Sequence, residues 1–295
     1  MQLNKYFFDE NQTRYQLIKS TPGKTIYNWL FFPGGPGIDS SYLLSLINNL
    51  DIEGNCWLID LPLNGNNLLN LDNKIDPNSI YKNWDEYFIS AVNKFDNPIF
   101  VGHSFSGYYP LFFPELETIL KGLVILSSSP VLPSLPTQSI YDFEKIAREN
   151  DLPFGDEIVT DFLNNPNLNT LTTLYLSVVP YEFPAENIIQ GIDLAKNIIA
   201  NIDTSFWWLT DGVNKYVTIT WIPEKLPTLI VGGSRDFSTP LCLFEKDLRF
   251  KRNNIEIISI PDAGHFPWME QEVLINDAIC LFNQRLNLKE ETTYA

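Results

Sequence analysis

Pro98-Ile99-Phe100-Val101-Gly102-His103-Ser104-Phe105-Ser106-Gly107 reads as a buried strand that runs into a sharp turn with a serine at its tip and then opens a helix near Ser106 or Gly107. A short apolar run closed by small residues is the pattern of a strand buried on both faces. In such a turn the serine is held in strained backbone geometry, and small residues are needed two positions before and after it because strand and helix crowd the bend from both sides. Gly102 meets that need; Ser106 stands where glycine is usual, with Gly107 next to it. A G-x-S-x-small match alone arises often by chance, and a serine after a strand also serves in purely structural turns, so the rest of the chain must agree.

A serine nucleophile needs a base, and the chain has two histidines. His103 flanks the serine and is expected to pack and hydrogen-bond beneath the turn. His265 lies in Pro261-Asp262-Ala263-Gly264-His265-Phe266, directly after the apolar run Ile255 to Ile260, and is the candidate base. Between serine and histidine, Pro227-Thr228-Leu229-Ile230-Val231-Gly232-Gly233 is a further buried strand, followed by Ser234-Arg235-Asp236-Phe237-Ser238-Thr239-Pro240. Asp236 is the candidate acid, and the order serine, acid, histidine is that of one hydrolase class. The loop after the preceding strand, Gly122 to Pro130, holds no carboxylate that could replace it, and none occurs before Asp142. Each residue has a plainer use: Asp236 suits a turn or N-cap ahead of Thr239-Pro240, and His265 a surface turn. Those uses do not account for their order or for a place at the end of each strand.

Upstream, the strand Thr25 to Phe32 runs into Pro33-Gly34-Gly35-Pro36-Gly37. A loop that brings bare backbone against a substrate oxygen requires glycine where a side chain would collide. With these residues the chain resembles the α/β-hydrolase family over nearly its whole length. Its loop is similar to the His-Gly-Gly-Pro-Gly loop of the prolyl iminopeptidase branch. The resemblance implies an α/β fold with a mostly parallel central sheet flanked by helices and an inserted helical cap. It implies an oxyanion hole formed by the N–H groups of Gly35 and Phe105. Pro33 replaces the histidine whose side chain ties that loop down, so rigidity is expected from Pro33 and Pro36. Leu61-Pro62-Leu63-Asn64-Gly65-Asn66 resembles a family turn in which glycine is frequent at the position of Leu63.

At 295 residues and 44% hydrophobic composition, the chain can bury one large core, and the length suits one domain carrying an insertion. The expected division is a hydrolase core of residues 1–130 and 224–295 and a cap of residues 131–223. Ser40 to Leu50 reads as a helix. Ile80, Trp84, Phe88, Val92 and Phe95 recur at helical spacing, as do Leu274, Ala278 and Leu281 in a final helix from Glu270 to Leu286. In the cap the expected helices are Ser139 to Asn150, Asp156 to Asn164 and Ala185 to Ile202. Phe206-Trp207-Trp208 is its most apolar patch, which makes Trp207 and Trp208 candidate pocket residues, although aromatics so close together cannot all face one way on a helix. Glu182, with Glu186 and Asp211, could pair with a substrate ammonium, or form part of a solvated face.

A net charge of −16 argues against nucleic acid and anionic membranes as partners. No charged-then-apolar leader opens the chain and no apolar run reaches membrane-spanning length, so a cytoplasmic location is expected. Cys56, Cys242 and Cys280 are scattered through apolar elements and read as reduced core thiols. Ligand spacings for a metal, the dinucleotide glycine pattern and the Gly-Lys-Ser/Thr phosphate loop are missing, so no cofactor is expected. The sequence carries no feature that sets an oligomeric state.

These readings converge on a serine hydrolase that cleaves an ester or amide bond of a small, partly apolar molecule or short peptide. Ser104 would be the nucleophile, His265 the general base and acid, and Asp236 the group that orients the imidazole. A lyase or C–C bond hydrolase with the same triad, or a small-ligand-binding protein on this scaffold, are the alternatives.

Overall fold

A computed structural model describes residues 5–23, 26–65, 67, 77–131, 148–149 and 157–293. Its strands are β1 (Lys5–Phe8), β2 (Arg14–Thr21), β3 (Asn28–Phe32), β4 (Gly54–Asp60), β5 (Pro98–His103), β6 (Gly122–Leu126), β7 (Thr228–Gly233) and β8 (Ile255–Ile260). They form one sheet in the order β1-β2-β4-β3-β5-β6-β7-β8. From β4 onward every pairing is parallel; β1 and β2 join one edge antiparallel.

The central strands β3, β5, β6 and β7 are buried along their whole length, which is why each reads in sequence as an unbroken apolar run. Alternate side chains enter opposite cores. Leu30, Phe32, Phe100, Leu123 and Ile125 pack on one face with Trp84 and Phe88, while Trp29, Phe31, Val101, Val124 and Val231 pack on the other with Ile279 and Phe282. The β1–β2 hairpin is not apparent from the sequence. A register shift between Leu17 and Lys19 interrupts the period-two pattern of β2, so its alternation is lost after one turn of the pleat.

Helix Trp84–Asn93 buries Trp84, Phe88 and Val92 as the spacing predicts, and Ile80 lies in a separate helix, Pro77–Lys82. The expected helix from Ser40 to Leu50 is a 3₁₀ turn, Ser40–Leu43, continued by helix Leu44–Asn49. The last helix, Glu272–Thr293, buries Ala278 as expected, but its inner face is turned away from Leu274 and Leu281. Ile275, Ala278, Ile279, Phe282 and Leu286 are buried, whereas Leu274 is 38% and Leu281 52% exposed. Two apolar stripes run along this helix, and only contact with the sheet distinguishes them.

Between β6 and β7 the described residues form helices and no strand: Glu157–Asn164, Leu168–Glu182, Ile188–Asn197 and Ile202–Trp207 among them. The first matches the expected Asp156 to Asn164. Leu168–Glu182, the longest of these, was not expected; it starts at Asn167, whose side chain accepts from the Thr170 N–H while Thr170 Oγ1 accepts from the Asn167 N–H. Pro180 in its last turn masks it in sequence. The single helix expected from Ala185 to Ile202 is divided, because Ala200 bridges to Ile38 and the Asn201 N–H donates to Gly37 O, which pulls this segment onto the loop after β3. The helix expected from Ser139 to Asn150 lies outside the described residues, apart from Arg148 and Glu149.

β3 is flanked by β4 on one side and β5 on the other, so the connections from β3 and β4 run to opposite sides of it. Crevices at such reversals, outside the carboxyl ends of the strands, are where open α/β sheets bind ligands. The loops after β3 and β5 both open there.

Candidate active site

Ser104 follows β5 directly and has φ 54° and ψ −120°, a conformation that L-residues rarely adopt. The bend is crowded as the sequence rule requires: a Cβ on Gly102 would lie 2.0 Å from the Ser106 carbonyl oxygen. In helix Phe105–Tyr108 the tight packing falls on Gly107, where a Cβ would sit 2.7 Å from Ser128 Cβ, just beyond β6, and 3.0 Å from Ile125 Cγ2 within it. Ser106 is therefore tolerated where glycine is usual, and its hydroxyl donates to the Pro33 carbonyl.

His265 is buried at the end of the loop after β8, with Nδ1 2.8 Å from Asp236 Oδ2. The carboxylate accepts, so Nδ1 carries the proton and Nε2 is left with its lone pair. Asp236 also makes the turn suggested by its sequence: Oδ1 accepts from the Ser238 and Thr239 N–H groups, each at 2.9 Å. Burial, the largest single influence, would lower the His265 pKa, but the charge and hydrogen bond of Asp236 together with the charges of Glu182 and Glu270 outweigh it, and the imidazole is held above its ordinary value. Helix Leu168–Glu182 ends against both loops, the His265 N–H donating to Glu182 O at 2.6 Å and the Phe237 N–H to Tyr181 O at 2.8 Å.

The loop after β3 lies against the serine, since a Cβ on Gly34 would come 3.0 Å from Ser104 Cβ. The Gly34 N–H is already engaged, donating to Tyr42 Oη at 2.6 Å. Among the described residues no hydrogen bond occupies the Gly35 or Phe105 N–H. Side chains, and not only Pro33 and Pro36, restrain this loop: Ser106 holds Pro33 and Tyr42 holds Gly34. That corrects the expectation of restraint by the prolines alone.

Ser104, His265, Gly34 and Gly35 line one cavity of about 350 Å³. Most of its wall is apolar and comes from the helices between β6 and β7, including Leu171, Leu174, Val178, Leu194 and Trp208. Glu182 also faces it; burial pushes this carboxyl up to about 7, His265 opposing the shift and Asp236 adding to it. Trp207 takes a different place from the one expected, stacked on Tyr81 at 4.5 Å and edge-on to Trp84 at 5.5 Å, so it is a packing residue and not part of the cavity wall. Glu186 pairs with Arg235 at the surface, 2.7 Å away. Tyr42 and Tyr175, which also line the cavity, were not anticipated. Tyr42 lies in a four-residue 3₁₀ turn too short to show a period, and Tyr175 in the helix obscured by Pro180.

Among the described residues no helix is long and apolar enough to cross a membrane. Residues 29–278 match the model of the alpha/beta hydrolase family. No curated protein sequence matches the chain. The fold is similar to a proline iminopeptidase-related protein from Thermus thermophilus, at 16% identity over 96% of this chain and 98% of that one with a TM-score of 0.62. It is also similar to a thermophilic esterase from Thermogutta terrifontis, at 15% identity over 93% and 94% of the two chains with a TM-score of 0.61. An alpha/beta fold family hydrolase from Bacillus anthracis str. Sterne matches at 14% identity over 92% and 95%, TM-score 0.60.

Proposed function

The chain belongs to the alpha/beta hydrolase family, and from that premise we propose that it is a serine hydrolase acting through an acyl-enzyme on Ser104. Ser104 Oγ attacks the substrate carbonyl while His265 Nε2 takes its proton, and the same imidazole returns that proton to the leaving group. Water then attacks the acyl-enzyme with His265 again as base. Asp236 keeps Nδ1 protonated and stabilises the imidazolium. The developing oxyanion is met by the N–H groups of Gly35 and Phe105, each worth about 10²–10³ in rate at comparable sites. The observation that carries this reading is that His265, paired with buried Asp236 at 2.8 Å, lines the cavity that Ser104 also lines.

Residues 1–130 and 224–295 form the catalytic core in this reading, and residues 131–223 a helical cap that roofs the pocket and selects the substrate. The apolar wall favours a small molecule or short peptide with an apolar group beside the scissile ester or amide. Glu182 is the one carboxylate among the described residues that line the cavity, which supports a sharper reading in which it pairs with a substrate amine, as a prolyl-iminopeptidase-like enzyme would need. The three cysteines are free and suit the reducing cytoplasm.

A paired assay of proline-aminoacyl amides and short-chain aryl esters, with wild type and Ser104→Ala side by side, tests the proposal. Amide turnover that depends on a free α-amine selects the peptidase reading, and ester turnover alone the carboxylesterase. Equal turnover by Ser104→Ala refutes both and leaves the lyase, C–C hydrolase or ligand-binding alternatives.

A further inference from the structure

We propose that Tyr42 and His103 act as a positioning relay that fixes the oxyanion loop relative to the loop of the catalytic base. His103 Nε2 lies 3.0 Å from the His265 carbonyl oxygen. A carbonyl only accepts, so Nε2 carries the ring proton and Nδ1 presents a lone pair. Tyr42 Oη, 2.7 Å from that Nδ1, therefore donates to it, and with its own lone pair it accepts the Gly34 N–H at 2.6 Å. The chain of donors runs in one direction: Gly34 N–H to Tyr42, Tyr42 O–H to His103, His103 N–H to the His265 carbonyl. It joins the loop after β3, the turn that follows it, the end of β5 and the loop after β8.

His103 is 2% exposed, and its ring sits among Phe266 at 5.1 Å, Trp268 at 4.9 Å and the His265 ring at 4.7 Å. Burial, followed by the charge of His265, holds its pKa well below the ordinary histidine value, so the ring remains neutral and keeps one donor and one acceptor. An unpaired polar atom in such surroundings is costly, and a chain in which every member is satisfied specifies a single arrangement.

Two catalytic consequences follow. With the Gly34 N–H committed to Tyr42, the Pro33–Gly34 peptide plane is held, and the next N–H along, that of Gly35, is the loop donor left for a substrate oxygen. At the other end, the backbone of His265 is held on both sides, its carbonyl by His103 and its N–H by Glu182 O. Pro33 has no side chain that could anchor the loop, and the relay supplies an anchor from elsewhere in the chain. Neither residue is assigned contact with the reacting atoms; both act through the groups they hold.

This proposal rests on Ser104 as nucleophile and Gly35 as oxyanion donor, and the test separates the two levels. Tyr42→Phe keeps the ring and removes the hydroxyl, so kcat is expected to fall about 10- to 10²-fold, less than the ~10²–10³ lost when an oxyanion donor is removed outright because the donor is displaced and not deleted, while KM changes by no more than about twofold. His103→Gln retains a donor and an acceptor and should keep most of kcat; His103→Leu should fall as far as Tyr42→Phe. The double variant Tyr42→Phe/His103→Leu should be no worse than the poorer single one, since both interrupt one chain of bonds. Assays are run well below the unfolding midpoint of each variant, and if His103→Leu does not fold, Tyr42→Phe and His103→Gln decide the matter. A Tyr42→Phe enzyme with wild-type kcat and a raised KM would make Tyr42 merely a pocket wall and overturn the relay. So would a His103→Gln enzyme as slow as Tyr42→Phe. Failure of the underlying reading has a different signature: a fluorophosphonate probe would label wild type no faster than Ser104→Ala. Ser104 labelling together with an unaffected Tyr42→Phe sinks the relay alone.

Discussion

Leu174 stands on the inner face of helix Leu168–Glu182 and forms part of the cavity wall, so Leu174→Ala should change which substrates fit without touching the catalytic groups. The cavity of about 350 Å³ has room for about twelve methylene-sized groups at ~30 Å³ each. Each methylene moved from water to an apolar wall contributes about 0.8 kcal/mol, or a factor of ~4 in kcat/KM. Across p-nitrophenyl esters, the four methylenes added from acetyl to hexanoyl give a rise on the order of 10²-fold for wild type, and a plateau or decline follows among the longer-chain esters of the series, once the cavity is full. Leu174→Ala removes three carbons from the wall and opens roughly 90 Å³. Its optimum should move about three carbons longer, with kcat/KM for the shortest esters unchanged or lower. Initial rates over the ester series for both proteins decide the matter. If kcat/KM is flat or falls from acetyl to hexanoyl in wild type, or if Leu174→Ala leaves the optimum in place, the cavity does not hold the acyl group and the substrate reading is refuted.

Asp236→Asn leaves the shape of the loop but removes the acceptor that keeps Nδ1 protonated, so kcat should fall about 10³–10⁴-fold; a loss below tenfold would show that another group orients His265. His265 must be neutral to accept the serine proton and its pKa is raised, so kcat/KM should climb with pH around a midpoint above about 6.5. Glu182→Gln removes one of the charges that raise it, and the midpoint should move down; no movement, or an upward one, counts against the assignment of the base. Glu182 titrates at about 7 in the folded protein against an ordinary 4.5, so its contribution to stability is fully present below pH 4.5 and is lost as pH rises through 7. Chemical unfolding should accordingly find Glu182→Gln gaining on wild type above pH 7 and not at pH 4. Ser106→Ala frees the Pro33 carbonyl and should cost about 1 kcal/mol of stability with a modest fall in kcat; unchanged values in both would remove Ser106 from the account of the loop.

Much of the frame was legible because buried parallel strands leave a local signature. β3, β5, β6, β7 and β8 each appear as a short apolar run, and the loop that follows four of them carries Gly34, Ser104, Asp236 or His265 within a few residues of the strand end. What was not legible depends on contacts across the fold. The choice between Ile275 and Leu274 as the inner face of the last helix is made by the sheet it meets. Trp207 and Trp208 are alike in sequence and are separated only by what lies beside them, Tyr81 and Trp84 in one case and the cavity in the other. The restraint on the Pro33–Gly37 loop is the clearest instance, since Tyr42 comes from the turn that follows it, His103 and Ser106 come from a distant segment, and none of them lies in the loop.

The central claim is that one hydroxyl in this chain is a nucleophile, and covalent capture measures it most directly. Wild type and Ser104→Ala are treated with a fluorophosphonate, and the adduct is located by mass spectrometry of the intact chain and its peptides. A single adduct on the peptide containing Ser104, absent from the alanine variant and slowed strongly in Asp236→Asn, is the predicted result. An adduct on another residue, or equal labelling of wild type and Ser104→Ala, contradicts the account.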